Sequence, residues 1–219
     1  KADQWLRVRP GTDGALALSL AHVLIEERLF NEQFVVKWTN GPFLVREDNG
    51  AMVTGRDLIP SGSPSHRVVW DLQDSSPVLF DVETGECLAN KKNCVPTLRG
   101  HYELEGHSGL IGCKPVFEIY ADLCKEYAPG KTAEIAWIDE EQIFETARLI
   151  GSSKAVSCYA WAGLEMHSNT SQTGRAIACL YALTGCIDAP GGNVIFDTVP
   201  VQSIFGKELM PATMQKGSL

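Results

Sequence analysis

The segment 157–194 constrains the fold more than any other part of the chain. It reads SCYAWAGLEMHSNTSQTGRAIACLYALTGCIDAPGGNV: an apolar run, a polar loop, a helical pattern and a glycine-rich exit. The run 155–161 is nearly all apolar, as in strands covered on both faces of a parallel sheet. The helical pattern spans 170–184, and Gly185 is expected to end it. Together they predict a strand-loop-helix unit, and open α/β sheets bind ligands at such loops.

The rest of the chain predicts helices that would flank such a sheet. Leu16, Leu20 and Val23 recur on one helical face, which is therefore expected to be buried. The other predicted elements are a strand over 4–8 and helices over 32–38, 115–127 with Pro115 at its first position, and 139–151 with Asp139 as its cap and Gly151 as its end.

The segment 40–112 has a different texture from its surroundings. Gly, Pro, Ser and Asp interrupt short apolar runs, and a hairpin is predicted with strands at 78–82 and 87–89. We interpret this segment as an insertion without a core of its own. The sequence thus predicts a single α/β domain over 1–219, with an open, mainly parallel sheet, flanking helices and a loop-rich β-hairpin insertion.

Charge and cysteine usage exclude some classes of function. The chain has 19 basic and 27 acidic residues, a net charge of −8, and no basic run suited to a nucleic-acid backbone. No apolar run approaches the roughly 20 residues of a membrane span. The seven cysteines form no C-x-x-C pair or metal-ligand spacing, so we predict mostly buried thiols and no metal site in this chain.

The N-terminus begins KADQWLRV, without an initiator Met or the apolar core of a signal peptide. We therefore expect a mature, trimmed or excised chain. Familiar signatures for nicotinamide, ATP and serine-hydrolase sites also fail, because their glycines or nucleophile stand at the wrong spacing.

The first candidate binding loop is 9–14, just before a predicted helix. Gly11 allows close backbone approach, Thr12 lies at the helix start, and the Asp13 carboxylate could accept two N–H groups from a guanine edge. The alternative is that Thr12 or Asp13 only caps the helix.

The second candidate loop is 162–171. The following helix has no acidic residue in its first turn, so its electropositive start suits an anion such as pyrophosphate. Arg175 is placed in that first turn, where the macrodipole disfavours a cation, and we expect a negative group opposite it. The alternatives are that Asn169 or Thr170 caps the helix, that His167 is a hydrogen-bonded loop residue, and that Arg175 is exposed or ion-paired.

Four motifs carry a family resemblance: RVRPGTDGALA at 7–17, GRAIA at 174–178, LTG at 183–185 and PGGN at 190–193. They are similar to the molybdopterin oxidoreductase family that includes dimethyl sulfoxide reductase and formate dehydrogenase. The resemblance implies a molybdenum or tungsten enzyme with two molybdopterin guanine dinucleotides. It identifies this chain with the third, dinucleotide-binding-like domain, which grips one of them.

The resemblance also implies residue roles. Gly11, Thr12 and Asp13 would lie at the nucleotide end. Arg175 resembles an arginine that points toward metal and substrate in formate dehydrogenases, and His167 is a second catalytic candidate. The residues that would line the cofactor are Trp161, Gly163, Glu165, Ser168 and Asn169.

Other parts of such an enzyme have no counterpart in this sequence. These are the upstream [4Fe–4S] cysteine motif, the domain with the metal ligand and the C-terminal barrel domain. We therefore expect a domain of a larger enzyme, inactive alone, whose partners are the rest of the polypeptide, an electron-transfer subunit and a small-molecule substrate. The compartment stays open between cytoplasm and periplasm, the latter by twin-arginine export.

Two other functions stay open. The length of 40–112 and the stretch 112–118 resemble the subgroup around acetylene hydratase, which would make the parent a non-redox hydratase or transhydroxylase. The second is a stand-alone binding or scaffold module without catalysis.

Overall fold

The structure, a computed structural model, describes residues 2–88 and 94–194. Within these ranges no helix is long and apolar enough to cross a membrane. The elements, in chain order, are α1 Asp13–Glu26, α2 Glu32–Trp38, β1 Leu44–Arg46, α3 Gly55–Leu58, β2 Arg67–Asp71, β3 Ser76–Asp81, β4 Glu86–Cys87, β5 Tyr102–Gly106, β6 Gly109–Pro115, α4 Val116–Lys125, α5 Pro129–Ala136, α6 Glu140–Ser152, α7 Ala162–Glu165 and α8 Thr170–Thr184.

Helix α1 is the centre of the helical part, and it packs against α4, α5, α6 and α8. Its sequence is apolar around most of its circumference, which is typical of a helix covered on all sides. Leu24 and Ile25 join a buried cluster with α2, α4 and α8, and Val23 joins a second one with α6. The packing of α8 against α1 brings the N-terminal ends of the two helices side by side, with Gly14 next to Thr173.

The insertion forms two antiparallel three-stranded sheets, ordered β1-β6-β5 and β2-β3-β4. The predicted hairpin is present as β3 and β4; residue 89, its predicted end, lies outside the described residues. Val68 and Leu104 share one buried cluster that spans both sheets, and Trp70 stacks on Tyr102 at 4.3 Å between ring centroids. The expectation that the insertion lacks its own core was therefore wrong.

The combination of helices and sheets agrees with an α/β fold, but the mainly parallel sheet is not seen in the described residues. Every strand pair there is antiparallel, and the one parallel pairing is an isolated bridge between Ile187 and Asn193. Residues 155–161, predicted as a buried strand, form no strand and are mostly exposed, with Tyr159 97% and Trp161 85% accessible. A strand needs neighbours on its ladder and layers on its faces, and the described residues supply neither.

Helix positions were predicted better than helix ends. α2 and α8 match the predicted bounds, and Gly185 ends α8 with φ +70°, as expected. Asp139 caps α6, but that helix continues through Gly151 to Ser152, so Gly151 is not its end. Pro115 precedes α4 as its N-cap and closes β6. The strand predicted at 4–8 is also wrong, because no ladder partner lies beside it in the described chain.

The cysteines differ from the prediction of mostly buried thiols. Cys87 and Cys94 form a disulfide that ties β4 to the next described segment. Cys113 and Cys124 are buried, whereas Cys158 and Cys179 are only partly covered, contrary to expectation. Burial raises the pKa of Cys113 to about 11 and that of Cys124 to about 12.

These pKa shifts predict slow alkylation of two thiols in the native chain. At pH 8 the thiolate fraction of Cys113 is about a thousandth, and thiolate is the reactive form. Cys113 and Cys124 should resist iodoacetamide until guanidinium unfolds the protein, and Cys87 and Cys94 should need prior reduction. Mass spectrometry of labelled peptides measures this. Fast native labelling of Cys113 would contradict its burial.

Candidate functional site

Two loops far apart in sequence meet at the N-terminal ends of α1 and α8. The nitrogen Nδ1 of His167 lies 4.0 Å from the position of a Cβ on Gly11. A Cβ on Gly14 would lie 3.1 Å from Oγ1 of Thr173. The structure thus brings the two candidate loops, 9–14 and 162–171, into contact.

The first loop is held by backbone contacts that leave the start of α1 open. Arg9 donates its backbone N–H to the carbonyl of Ala136, and its guanidinium lies 4.7 Å from the ring centre of Trp137. Gly11 has φ +84°, which disfavours any residue with a side chain. The Thr12 hydroxyl donates to the Arg9 carbonyl at 2.7 Å and makes no cap on α1.

The second loop is folded around the Thr170 hydroxyl. Three backbone carbonyls lie within hydrogen-bonding distance of this hydroxyl, at 3.2 Å for Leu164, 2.8 Å for Glu165 and 2.6 Å for His167, and its single O–H can donate to any of them. The Asn169 side chain stands at the N-cap of α8 but accepts no backbone N–H. The capping alternatives for Thr12, Asn169 and Thr170 are therefore not realised in the structure.

A cleft of about 560 Å³ opens between the two helix starts. This volume is in the range of small-molecule and cofactor sites. Helices α4 and α5 supply its far wall. Its lining residues are Gly11, Thr12, Gly14, Ala15, Leu18, Leu123, Tyr127, Ile135, Asn169, Gln172 and Ala176.

Three of the predicted site residues, Gly11, Thr12 and Asn169, line this cleft. Asp13 is the half-buried first residue of α1. The other predicted residues lie outside the lining and are exposed: Trp161, Gly163, Glu165, His167, Ser168 and Arg175.

The placement of Arg175 corrects one prediction. Because α8 begins at Thr170, Arg175 lies in the second turn, not the first. The macrodipole effect falls off within the first turn, so the argument from it is weaker than expected. Arg175 is exposed and forms no ion pair with any residue in the described ranges. The salt-bridged alternative is therefore not seen there.

Sequence reasoning missed part of the cleft. Gln172 could have been found, because it is three residues after Asn169 and so shares its helix face. No sequence pattern indicated Tyr127 or Ile135 as site residues, because only the packing of α4 and α5 against α1 brings them to the cleft. No group of three or more His, Cys, Asp or Glu side chains suited to a metal occurs within 2–88 and 94–194.

Comparison with known proteins identifies the family. The model described as molybdopterin oxidoreductase matches residues 1–202. The chain belongs to the molybdopterin oxidoreductase family. The four motifs given above all fall inside the matched range.

Relatives in the molybdopterin oxidoreductase family include two alpha subunits. The chain is 29% identical to the alpha subunit of perchlorate reductase from Dechloromonas aromatica over 89% of its length and 23% of that protein. It is 30% identical to the alpha subunit of dimethylsulfide dehydrogenase from Rhodovulum sulfidophilum over 87% of its length and 21% of that protein. The chain thus spans less than a quarter of these relatives.

A solved structure, acetylene hydratase from Pelobacter acetylenicus, aligns with 84% of the chain and 15% of its own. The sequence identity is 20% and the TM-score 0.47.

Proposed function

We propose that this chain is a cofactor-binding domain of a larger molybdopterin oxidoreductase, and that it grips one of two molybdopterin guanine dinucleotides. One observation carries the proposal: two helix starts without side-chain caps border one cleft. Uncapped N–H groups and the positive ends of helix dipoles are the ordinary protein ligands of phosphate. Two of them side by side suit a pyrophosphate.

The residues of the cleft fit such a ligand. Gly11 has no side chain, so a phosphate can approach its backbone, and beyond its chain neighbours the one atom of the described residues within 4 Å of its missing Cβ is Nδ1 of His167. Asn169 and Gln172 offer amide groups on the α8 side. Asp13, at the start of α1, is the residue we assign to the guanine base, because a carboxylate can accept both N–H groups of the guanine edge.

The exposed loop before α8 faces the other end of the proposed ligand. Trp161 and Met166 are 85% and 83% accessible, although such side chains are normally covered. We assign Trp161, Gly163, Glu165 and Ser168 to contacts along the pterin, with His167 and Arg175 toward the metal and substrate.

The cofactor supplies the oxygen-atom or electron-transfer chemistry of its molybdenum or tungsten, and this chain binds and orients it. The planar, cationic guanidinium of Arg175 offers positive charge and several N–H donors to an anionic substrate. In this proposal the parent enzyme also carries an upstream [4Fe–4S] cluster and works with an electron-transfer subunit, and the isolated domain is inactive.

The guanine assignment is tested with Asp13→Asn in the cofactor-free parent protein, using GDP as the probe. An amide can accept only one of the two guanine N–H groups, so GDP affinity should fall about tenfold or more. ADP binding should change little. Isothermal titration measures both.

Asp3→Asn is the matched control, because Asp3 is exposed beside Glu27 and Arg148, on a different surface groove. It should leave the affinity for GDP unchanged. Equal GDP affinity of the Asp13→Asn variant and the unmodified protein would remove Asp13 from the site.

A further inference from the structure

The side chain of Asn193 takes the place of a neighbouring strand. Its Oδ1 accepts the backbone N–H of Cys158 at 2.9 Å, and its Nδ2 donates to the carbonyl of the same residue at 3.2 Å. One amide thus satisfies both backbone groups that a β ladder would pair. Segment 155–161 has no strand partner in the described parts of the chain, so this is a principal anchor.

Asn193 itself is fixed by a tight turn. Its N–H donates to the carbonyl of Cys186 at 3.0 Å, and its carbonyl accepts the N–H of Asp188 at 2.7 Å. The turn lies close against segment 155–161, because a Cβ on Gly191 would stand 2.9 Å from the Cβ of Ala155. The amide of Asn193 is therefore held rigidly against Cys158.

Helix α8 supports the same junction. Tyr181 of this helix lies near Cys158 and Asn193, and burial together with the nearby Cys158 thiol raises the pKa of its phenol. The hydrogen bonds that hold the Cys158 backbone are the two from Asn193.

The anchored segment leads directly into the loop before α8. Trp161 is the N-cap of α7, and its carbonyl accepts the N–H of Leu164 at 2.9 Å. At the other end of the loop, the hydroxyl of Thr170, the first residue of α8, lies 2.6 Å from the carbonyl of His167 and 3.2 Å from that of Leu164. Loop 161–170 is thus tied at its far end by Thr170 and at its near end through Cys158 by Asn193.

We propose that Asn193 is a positioning residue, which sets the placement of Trp161 and the loop 162–169 against the bound cofactor. This inference rests on the function proposed above. Asn193 is not among the residues that line the cleft, and it acts through the backbone of Cys158. Losing its amide frees the near end of the loop while the helices around α1 keep their packing.

The test uses Asn193→Ala and Asn193→Asp in the intact parent enzyme, with hydrogen exchange and kcat per bound cofactor as readouts. Exchange in 155–161 should become about tenfold faster in the alanine variant, with α1 and α6 unchanged. The kcat per bound cofactor should fall about tenfold, because small displacements of a site are costly. Asn193→Asp keeps the oxygen that accepts the Cys158 N–H, so both its exchange rate and its kcat per bound cofactor should lie between those of the unmodified enzyme and the alanine variant.

Asn49→Ala is the matched control, since Asn49 also bonds a backbone N–H, that of Ala51 at 2.9 Å, but within the insertion. It should change neither readout. Unchanged exchange in both Asn193 variants, or faster exchange with unchanged kcat per bound cofactor, overturns the positioning role. Unchanged GDP affinity of the Asp13→Asn variant would instead count against the proposed function. It would not affect whether Asn193 holds segment 155–161, which hydrogen exchange measures independently.

Discussion

Arg175→Ala in the parent enzyme is expected to lower kcat/KM by about a hundredfold or more. Losing one preorganised group that stabilises charge at a reacting centre has typical effects of that size. The structure leaves this side chain exposed and without an ion pair in the described ranges, so its charge is available to a ligand. Outside the backbone of α8 itself, no atom of residues 2–88 or 94–194 lies within 4 Å of a Cβ placed on the preceding residue, Gly174.

The kinetic constants separate the possible roles of Arg175. If its charge acts on the reacting substrate, kcat should fall and cofactor content should stay unchanged. Arg175→Lys should recover part of the loss, because it keeps the charge but not the planar donor fork. Arg148→Ala is the matched control, since Arg148 is an exposed arginine of α6 that pairs with Glu27 at 2.8 Å. A kcat/KM of the Arg175→Ala variant within twofold of that of the unmodified enzyme would rule out a catalytic role.

Gly151→Ala is expected to destabilise the fold by about 1–3 kcal/mol, the usual cost of overpacking. The new methyl would lie 2.6 Å from the Cβ of Leu29 and 3.1 Å from Cδ2 of Leu24. The nearest atom is a Cβ, which no rotamer change can move, so Leu29→Ala should not rescue the variant. Equilibrium urea unfolding of the 219-residue chain, followed by circular dichroism, measures the change.

Gly174→Ala is the matched helical control and should have the opposite sign. A Cβ there meets no other described part of the chain within 4 Å, so the higher helix propensity of alanine should stabilise α8 by about 0.5–1 kcal/mol. If Gly151→Ala is as stable as the unmodified chain, the close approach of α6 to Leu29 is not as described.

The comparison of Gly151 with Gly185 explains what a sequence can predict about helix ends. Both glycines follow an amphipathic pattern, and both were interpreted as helix ends. Gly185 does end α8 with a positive φ. Gly151 lies inside α6, and a glycine is needed there because Leu29 leaves no room for a side chain. The local sequence pattern predicts the helix. Only the tertiary contacts show whether a glycine ends a helix with a positive φ or makes room for a neighbouring side chain.

The strand predicted at 155–161 shows a second limit. The structure assigns no strand to this apolar run, because strand pairing and burial depend on neighbours that composition does not reveal. For the cleft, the sequence placed both loops at helix starts, and four motifs led to the family that the comparison confirmed. It could not show that loops 9–14 and 162–171 touch, because that depends on how α8 packs against α1.

The insertion enters and leaves the helical part at one place. β1 pairs with the end of β6, Leu44 opposite Pro115, and the N–H groups of Val116 and Phe117 bond the carbonyls of Phe43 and Gly41. The two ends of the insertion are therefore hydrogen-bonded to each other in a paired stem, at the point where the chain continues into α4. Because both ends of the insertion meet at this stem, a change in its length need not by itself shift α1 against α8.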